Sequence, residues 1–410
     1  MINPFKKIFN MINTPEISKT FCILPWLHMY VNPDGSVLPC CIAQHNERLG
    51  NVQSESIEDI WNGKKYKNLR KRMLAGEKCK ECTACYSSED NNSQSLRQDK
   101  LKKFNKFISL ANNTNQDGSL DSMDLKYFDV RWSNICNFKC RSCGSLYSSS
   151  WAAENVKHYD SQNEIFIFAG GKNNKELYEQ FLPHFSNMEE IYFAGGEPLL
   201  TDKHYDILEH LISIGKTDVE LRYNTNLSNL IYKNKNVIEL WKQFSNVSIY
   251  ASLDSWGTRA EYIREGTDWN LIEENLRLIR KHAPHVNLQT SSVVSVFNVS
   301  TMPEFLNYLI DTELFDKNNF FPIFYNLITP HRYSFQVLPD NFRKDLAKHL
   351  SSFDNNTYIK NEINGIINKL NNTVYNESLN QQFRIFNDRY DKIRNRNFIE
   401  TFPELSSLYL

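Results

Sequence analysis

The chain has 410 residues, enough for two domains or for one large α/β domain with an appendage. Its 47 Lys plus Arg nearly cancel its 48 Asp plus Glu, so a net charge of −1 indicates neither nucleic acid nor an acidic membrane surface as partner. No apolar run approaches the roughly 20 residues needed to span a bilayer, and the start, Met1-Ile2-Asn3-Pro4-Phe5-Lys6-Lys7, lacks a secretory h-region and cleavage site; the expectation is a soluble, cytoplasmic protein.

All nine cysteines lie before residue 144. In a reducing compartment clustered thiols persist as thiolate ligands rather than disulfides, and an odd count also argues against a simple disulfide framework. Residues 20–90 hold six of them, Cys22, Cys40, Cys41, Cys79, Cys82 and Cys85, with a turn at Asn32-Pro33-Asp34-Gly35 and few long apolar runs. That composition predicts a small irregular domain organised around metal. Residues 91–123 read as a polar connector containing a helix.

Over 124–335 the pattern becomes short β-rich runs alternating with helical periodicity. Strands are predicted at 125–132, 190–194, 219–223, 247–252, 286–296 and 320–327, with amphipathic stretches such as 205–214 and 271–282 between them. Alternation of this kind implies βαβ units and a parallel sheet. Six units are too few for an eight-fold barrel, so a partial barrel and an open doubly wound sheet both fit. The remainder, 336–410, carries only helical signals, for example at 341–350 and 358–370.

The segment Ile135-Cys136-Asn137-Phe138-Lys139-Cys140-Arg141-Ser142-Cys143-Gly144 places three cysteines as C-x3-C-x2-C directly after the first of these strands. Active sites of α/β folds assemble at that end of a parallel sheet. Three thiolates on one loop can hold three irons of a cubane and leave the fourth open. The alternative is structural zinc, which normally closes with four ligands; no cysteine follows Cys143, so a histidine would have to complete it. After the second strand comes Phe193-Ala194-Gly195-Gly196-Glu197-Pro198-Leu199, whose glycines let a backbone approach a ligand and whose carboxylate can accept from an ammonium group. A strand-end Gly-Gly is by itself more often a tight turn.

Together these two segments resemble the radical S-adenosylmethionine superfamily, over about residues 124–330. The resemblance implies an α/β core built as a partial (β/α)6 TIM-like barrel, preceded by the irregular iron-sulfur domain and followed by the helical tail. By position it implies that Cys136, Cys140 and Cys143 ligate a 4Fe-4S cluster and that Gly195, Gly196 and Glu197 receive the methionyl amino group of S-adenosylmethionine. Ser252 and Asp254, in Ser248-Ile249-Tyr250-Ala251-Ser252-Leu253-Asp254, resemble the family's ribose contacts; a strand end followed by a helix N-cap is the rival reading. Arg264, in Tyr262-Ile263-Arg264-Glu265-Gly266, resembles the family's carboxylate-pairing arginine, with Glu265 interrupting the usual Arg-Gly, and could instead form a surface pair. A second departure is Ser142, where the family usually has an aromatic residue near adenine; Phe138 could substitute or simply anchor the loop.

Upstream, Cys22, Gly35, Cys40 and the group Cys79, Cys82 and Cys85, with Leu49-Gly50-Asn51-Val52 and Ile57-Glu58-Asp59-Ile60-Trp61-Asn62 between, resemble the SPASM/twitch auxiliary cluster domain, here ahead of the core rather than behind it. The resemblance implies a second, auxiliary 4Fe-4S cluster, with Cys22, Cys40, Cys82 and Cys85 as the preferred ligands. Cys41 is out of phase with its neighbour and Cys79 stands where the family commonly has proline, although Cys79 with Cys82 is a competing pair. Four thiolates with C-x2-C spacing suit zinc equally well.

The resulting expectation is a radical enzyme that cleaves S-adenosylmethionine and abstracts hydrogen from a substrate, a peptide or protein in the first instance and a small molecule such as a sugar or aminoglycoside in the second. An electron donor such as flavodoxin or ferredoxin is implied; neither nucleic acid nor membrane is. The reading from another class is a non-catalytic iron-sulfur or zinc-binding interaction protein. Asp129, Asn224, Tyr250, Asn326 and His331 lie near strand ends and could line a pocket, but each reads first as a packing or hydrogen-bonding residue.

Overall fold

The computed structural model describes residues 18–90, 94–159, 174–327, 329–353 and 357–409. The leader reading at Met1 to Lys7 lies outside them, as do residues 91–93 of the connector. Among the described residues the strands are β1 His28–Val31, β2 Ser36–Leu38, β3 Gly50–Asn51, β4 Tyr127–Val130, β5 Lys139–Cys140, β6 Glu190–Phe193, β7 Glu220–Thr225, β8 Ile231–Tyr232, β9 Lys235–Asn236, β10 Asn246–Ser252, β11 Arg264–Glu265, β12 Asn287–Val294 and β13 Ile323–Asn326. All six predicted runs are strands: β4, β6, β7, β10, β12 and β13. No helix among the described residues is long and apolar enough to cross a membrane.

The chain divides into two compact units, one drawn from Met1–Ile135, Ile167–Leu221 and Gln243–Ser245, the other from Cys136–Phe166, Arg222–Lys242 and Asn246–Leu410. These units cut across the boundaries 20–90, 91–123, 124–335 and 336–410 drawn from sequence. In the first unit β1 pairs in parallel with β4, His28 opposite Tyr127 and Tyr30 opposite Asp129, and β4 pairs in parallel with β6. On its other side β1 pairs antiparallel with β2, and β2 with β3. The cysteine-rich segment therefore shares a sheet with the first strand of the core, a long-range pairing that no local pattern announces.

Period-two alternation gives that sheet two unlike faces. Phe128 packs against Phe181 and Phe185, at ring separations of 5.0 and 5.3 Å. The opposite face is buried and polar: His28 stacks on Tyr127 at 4.2 Å, Lys100 Nζ lies 3.6 Å from the Tyr127 ring centroid and donates to Glu190 at 2.8 Å, and Arg131 Nε donates to Asp129 at 2.6 Å. Buried charges are tolerated here because each has a partner.

In the second unit β10, β12 and β13 are parallel, with Ser252 opposite Ser291 and Ser291 opposite Ile323. The helix Trp269–His282 covers residues predicted at 271–282; Asp268 caps it by accepting from the Leu271 amide at 3.3 Å, and it buries Ile272, Leu276 and Ile279. Asp340–Ser351 and Thr357–Asn372 match the two predicted tail helices. Glu377–Arg394, the longest helix among the described residues at 18 residues, also lies within the helical stretch expected over 336–410 and buries Asn380, Phe383, Asn387, Tyr390 and Arg394. The arrangement is mixed α/β with parallel strands and a helical C-terminus.

Candidate metal centres and cofactor site

The cysteine loop is held by the start of the helix α1, Ser149–Tyr159. Ser148 Oγ donates to the Phe138 carbonyl at 2.6 Å, Ser150 Oγ to the Cys136 carbonyl at 2.7 Å, and the Trp151 indole N–H to the Cys140 carbonyl at 2.8 Å. Three loop carbonyls are thereby satisfied by one helical turn, as buried backbone requires. The run Ser148-Ser149-Ser150 at a helix start was the available signal for these residues. Phe138 is buried and anchors the loop.

Lys139 and Cys140 form β5, paired antiparallel with β11, so that Arg264 stands opposite Cys140 and Glu265 opposite Lys139. Gly266, at φ 108°, lets the return chain pass; a Cβ there would lie 2.8 Å from the Asn137 carbonyl oxygen. Arg264 Nη1 donates to Cys140 Sγ at 3.7 Å. Burial raises the Cys140 thiol pKa, against the opposing pull of Arg264, and pushes Cys143 up to about 12, with Cys140 adding to the effect. Thiols so buried ionise when a cation compensates them.

Arg264 and Asp254 are brought together, with each other as partners. Arg264 Nε lies 2.8 Å from Asp254 Oδ2, Nη2 donates to Oδ1 at 3.0 Å, and Oδ1 also accepts from the Val293 amide at 2.8 Å. Ser252 ends β10 and is half-buried.

The Gly195-Gly196-Glu197 turn belongs to the first unit. Gly195 has φ 123°, and a Cβ on Gly196 would come 2.2 Å from the Ile135 carbonyl oxygen, so the two glycines are required by backbone packing alone. The Glu197 amide donates to that same carbonyl at 2.7 Å, and the residue after Ile135 is Cys136. Buried Glu197 accepts from the Leu199 amide at 3.1 Å, capping the short turn Pro198–Leu200.

Also in the first unit, Cys22, Cys40, Cys82 and Cys85 line a single cavity walled by Leu24, Pro25, Pro39, Ile42 and Met73. The turn at Asn32, closed by the Gly35 amide at 2.9 Å with Gly35 at φ 79°, returns the chain from β1 to β2 and so brings Cys40 back toward Cys22. The 3-10 turn Lys80–Cys82 and the helix Thr83–Asp90 set Cys82 and Cys85 three residues apart on adjoining turns. Burial raises the thiols of Cys22, to about 12, and of Cys40 and Cys82; neighbouring cysteines add to each, Cys85 acting on Cys22, Cys41 and Cys22 on Cys40, and Cys22 on Cys82. Cys41 packs with Tyr30 and Leu38, and after burial its principal electrostatic neighbours are Asp129 and Arg131. Cys79 is not among the cavity residues; its thiol donates to the Glu77 carbonyl at 3.7 Å. No three His, Cys, Asp or Glu side chains among the described residues converge as they would around one metal ion. The four cysteines instead border one small cavity, which Glu81 and Arg97 also line.

Of the other strand-end residues, Asp129 is fully buried, with its pKa raised by burial against the pull of Arg131. Asn224 donates to Ser291 Oγ at 3.1 Å, the Arg222 guanidinium lies 4.6 Å from the Tyr250 ring centroid, and His331 begins a 3-10 turn. The Asn326 side chain lies outside the described set.

The SPASM family, described as an iron-sulfur cluster-binding domain, matches residues 22–86. No curated protein matches the chain. Among solved structures, native anSMEcpe with bound AdoMet is similar at 19% identity and a TM-score of 0.39, over 60% of this chain and 62% of that one. Native anSMEcpe with bound AdoMet and Cp18Cys peptide is similar at 17% identity and 0.36, over 60% and 61%. TYW1 with a lysine-pyruvate adduct bound is similar at 11% identity and 0.27, over 55% and 70%. The chain thus spans about 62% of the length of the first of these. This protein carries a SPASM iron-sulfur cluster-binding domain at residues 22–86, ahead of an α/β core that resembles radical S-adenosylmethionine enzymes in its C-x3-C-x2-C loop and strand-end turns.

Proposed function

We propose that the chain is a radical S-adenosylmethionine enzyme whose core, a partial (β/α)6 barrel over 124–335, works with an auxiliary 4Fe-4S cluster held by residues 20–90. The observation that carries the reading is a pair of unlike cysteine sites in one chain: three thiols on a single pre-shaped loop, and four around a cavity within the segment that matches a cluster-binding domain. Cys136, Cys140 and Cys143 would hold the first cluster, and Cys22, Cys40, Cys82 and Cys85 the second. When bound, the first cluster supplies one electron to S-adenosylmethionine, breaking the C5′–S bond to give methionine and a 5′-deoxyadenosyl radical that takes hydrogen from the substrate.

The chain's own residues shape that site. The Ser148, Ser150 and Trp151 hydrogen bonds hold the loop's backbone, and Arg264 places a positive charge beside the Cys140 sulfur. Arg264, Asp254 and Ser252, with Gly195, Gly196 and Glu197, are assigned to S-adenosylmethionine on the resemblance; for Arg264 and Asp254 this requires their mutual ion pair to open or to be shared with the ligand. A peptide or protein is the substrate class that the SPASM resemblance favours, with a sugar or aminoglycoside as the alternative, and a flavodoxin or ferredoxin in the cytoplasm as electron donor.

Anaerobic reconstitution should load about eight irons per chain, two cubanes, and reduction with S-adenosylmethionine should release 5′-deoxyadenosine. Absence of that product from the fully loaded protein would leave the non-catalytic reading. Its loss in Cys140→Ala, with about four irons retained, is the expected control.

A further inference from the structure

The helical tail reaches the cysteine loop in a way the sequence did not suggest. Arg141 stands between Cys140 and Cys143 and is 1% exposed. Its guanidinium is fully engaged: Nε donates to the Tyr262 carbonyl at 3.2 Å, Nη1 to Asn387 Oδ1 at 3.0 Å and Nη2 to Asp391 Oδ1 at 3.0 Å, with the Tyr262 ring centroid 3.9 Å away. Asn387 and Asp391 are four residues apart on α2, the helix Glu377–Arg394, and so share one stripe.

The same stripe continues. Tyr390 meets Trp151 edge-on at 5.3 Å, and Trp151 is the residue whose indole holds the Cys140 carbonyl. Arg394 donates to Glu154 of α1 at 2.7 Å, and Glu154 also accepts from Lys139 of the loop at 2.8 Å. Just past the helix, Arg396 donates to Glu265 at 3.1 Å, and Glu265 lies opposite Lys139 in the β5–β11 pair. The second Asp391 oxygen is held by the Phe398 amide at 2.6 Å, which aims the carboxylate.

The buried face is mixed: Phe383 packs among Phe297, Tyr333 and Phe398, while Asn387 and Asp391 bond Arg141 and Arg394 bonds Glu154. Forked charge-assisted bonds of this kind fix direction as well as distance. We propose that α2 is a clamp that pre-shapes the cysteine loop for its cluster, with Arg141 and Asp391 as positioning residues. The clamp rests on the reading of the loop as a cluster site, but its geometry is testable in the metal-free chain.

The experiment uses the full metal-free chain under reducing, anaerobic conditions, and follows iodoacetamide alkylation of each cysteine by mass spectrometry in the wild type, Arg141→Met and Asp391→Asn. Cys22 and Cys82, in the other compact unit, serve as internal reporters of global folding. In both variants Cys143 should react at least about tenfold faster, the factor for loss of one charge-assisted hydrogen bond, while Cys22 and Cys82 stay within about twofold. A rate at Cys143 unchanged in either variant, or a rise shared by Cys22 and Cys82, overturns the clamp. Iron content separates this from the wider reading: a wild-type chain that binds only one cluster defeats the proposed function and leaves the alkylation result standing.

Discussion

The two cysteine sites differ in how the chain assembles them. Around the cavity of Cys22, Cys40, Cys82 and Cys85 the walls are mostly apolar, with Glu81 and Arg97 among them, and Cys22 and Cys85 are 63 positions apart in the chain. On the loop of Cys136, Cys140 and Cys143 the carbonyls of Cys136, Phe138 and Cys140 are individually hydrogen-bonded, and the flanking Arg141 and Lys139 are ion-paired. One site gathers its thiols from distant strands and turns; the other carries all three on one hydrogen-bonded loop.

The sharpest way to test that contrast is to remove the metal. Chelation, or Cys82→Ala, should lower the thermal stability of the first unit by several kcal/mol, read as loss of native-state hydrogen-exchange protection in β1 and β2, while Cys136→Ala leaves that protection unchanged. Equal losses would erase the distinction between the sites.

Next in size are the effects of breaking two of the buried ion pairs, one taken from each unit. Glu154→Ala leaves Arg394 without its carboxylate, and Glu190→Ala does the same to Lys100; each should cost about 3–5 kcal/mol in urea unfolding. Only Glu154→Ala should also reduce iron binding by the cysteine loop. Gly196→Ala should cost about 1–3 kcal/mol, because its Cβ would meet the Ile135 carbonyl oxygen and displace the turn that carries Glu197. Tight binding of S-adenosylmethionine by an unstrained Gly196→Ala variant would contradict the packing argument.

The smallest expected effect is on pH dependence. Burial disfavours the Glu190 carboxylate, but Lys100 and Lys103 outweigh it and hold its pKa below the ordinary 4.5. A carboxyl depressed on folding contributes stability above its unfolded value and loses it as pH falls through the lowered folded one. Stability should therefore decline below about pH 4.5, and Glu190→Gln should flatten the decline in this window. A profile identical to the wild type would show that the pair is not linked to folding.

Much of this was legible in the order of residues. Six strands were readable because alternation and apolar runs are local. The helix Glu377–Arg394 fell inside the expected helical tail, but its bounds were not readable because its buried face mixes Phe383 and Tyr390 with Asn380, Asn387 and Arg394, which weaken any apolar stripe. Strand β1 was missed because His28-Met29-Tyr30-Val31 is short and its polar side chains are inward-facing and paired.

By itself, the sequence determined the chemistry on offer: nine thiols before residue 144, three of them on one loop, within a chain whose later strands and helices follow local periodicity. Tertiary structure alone decided who meets whom. Arg141 and Asp391 are 250 positions apart, and Arg264 finds both Asp254 and Cys140 only after β11 pairs with β5. Residue type and spacing are set by covalent neighbours, whereas a buried charge chooses its partner from whatever the folded chain brings within hydrogen-bonding distance.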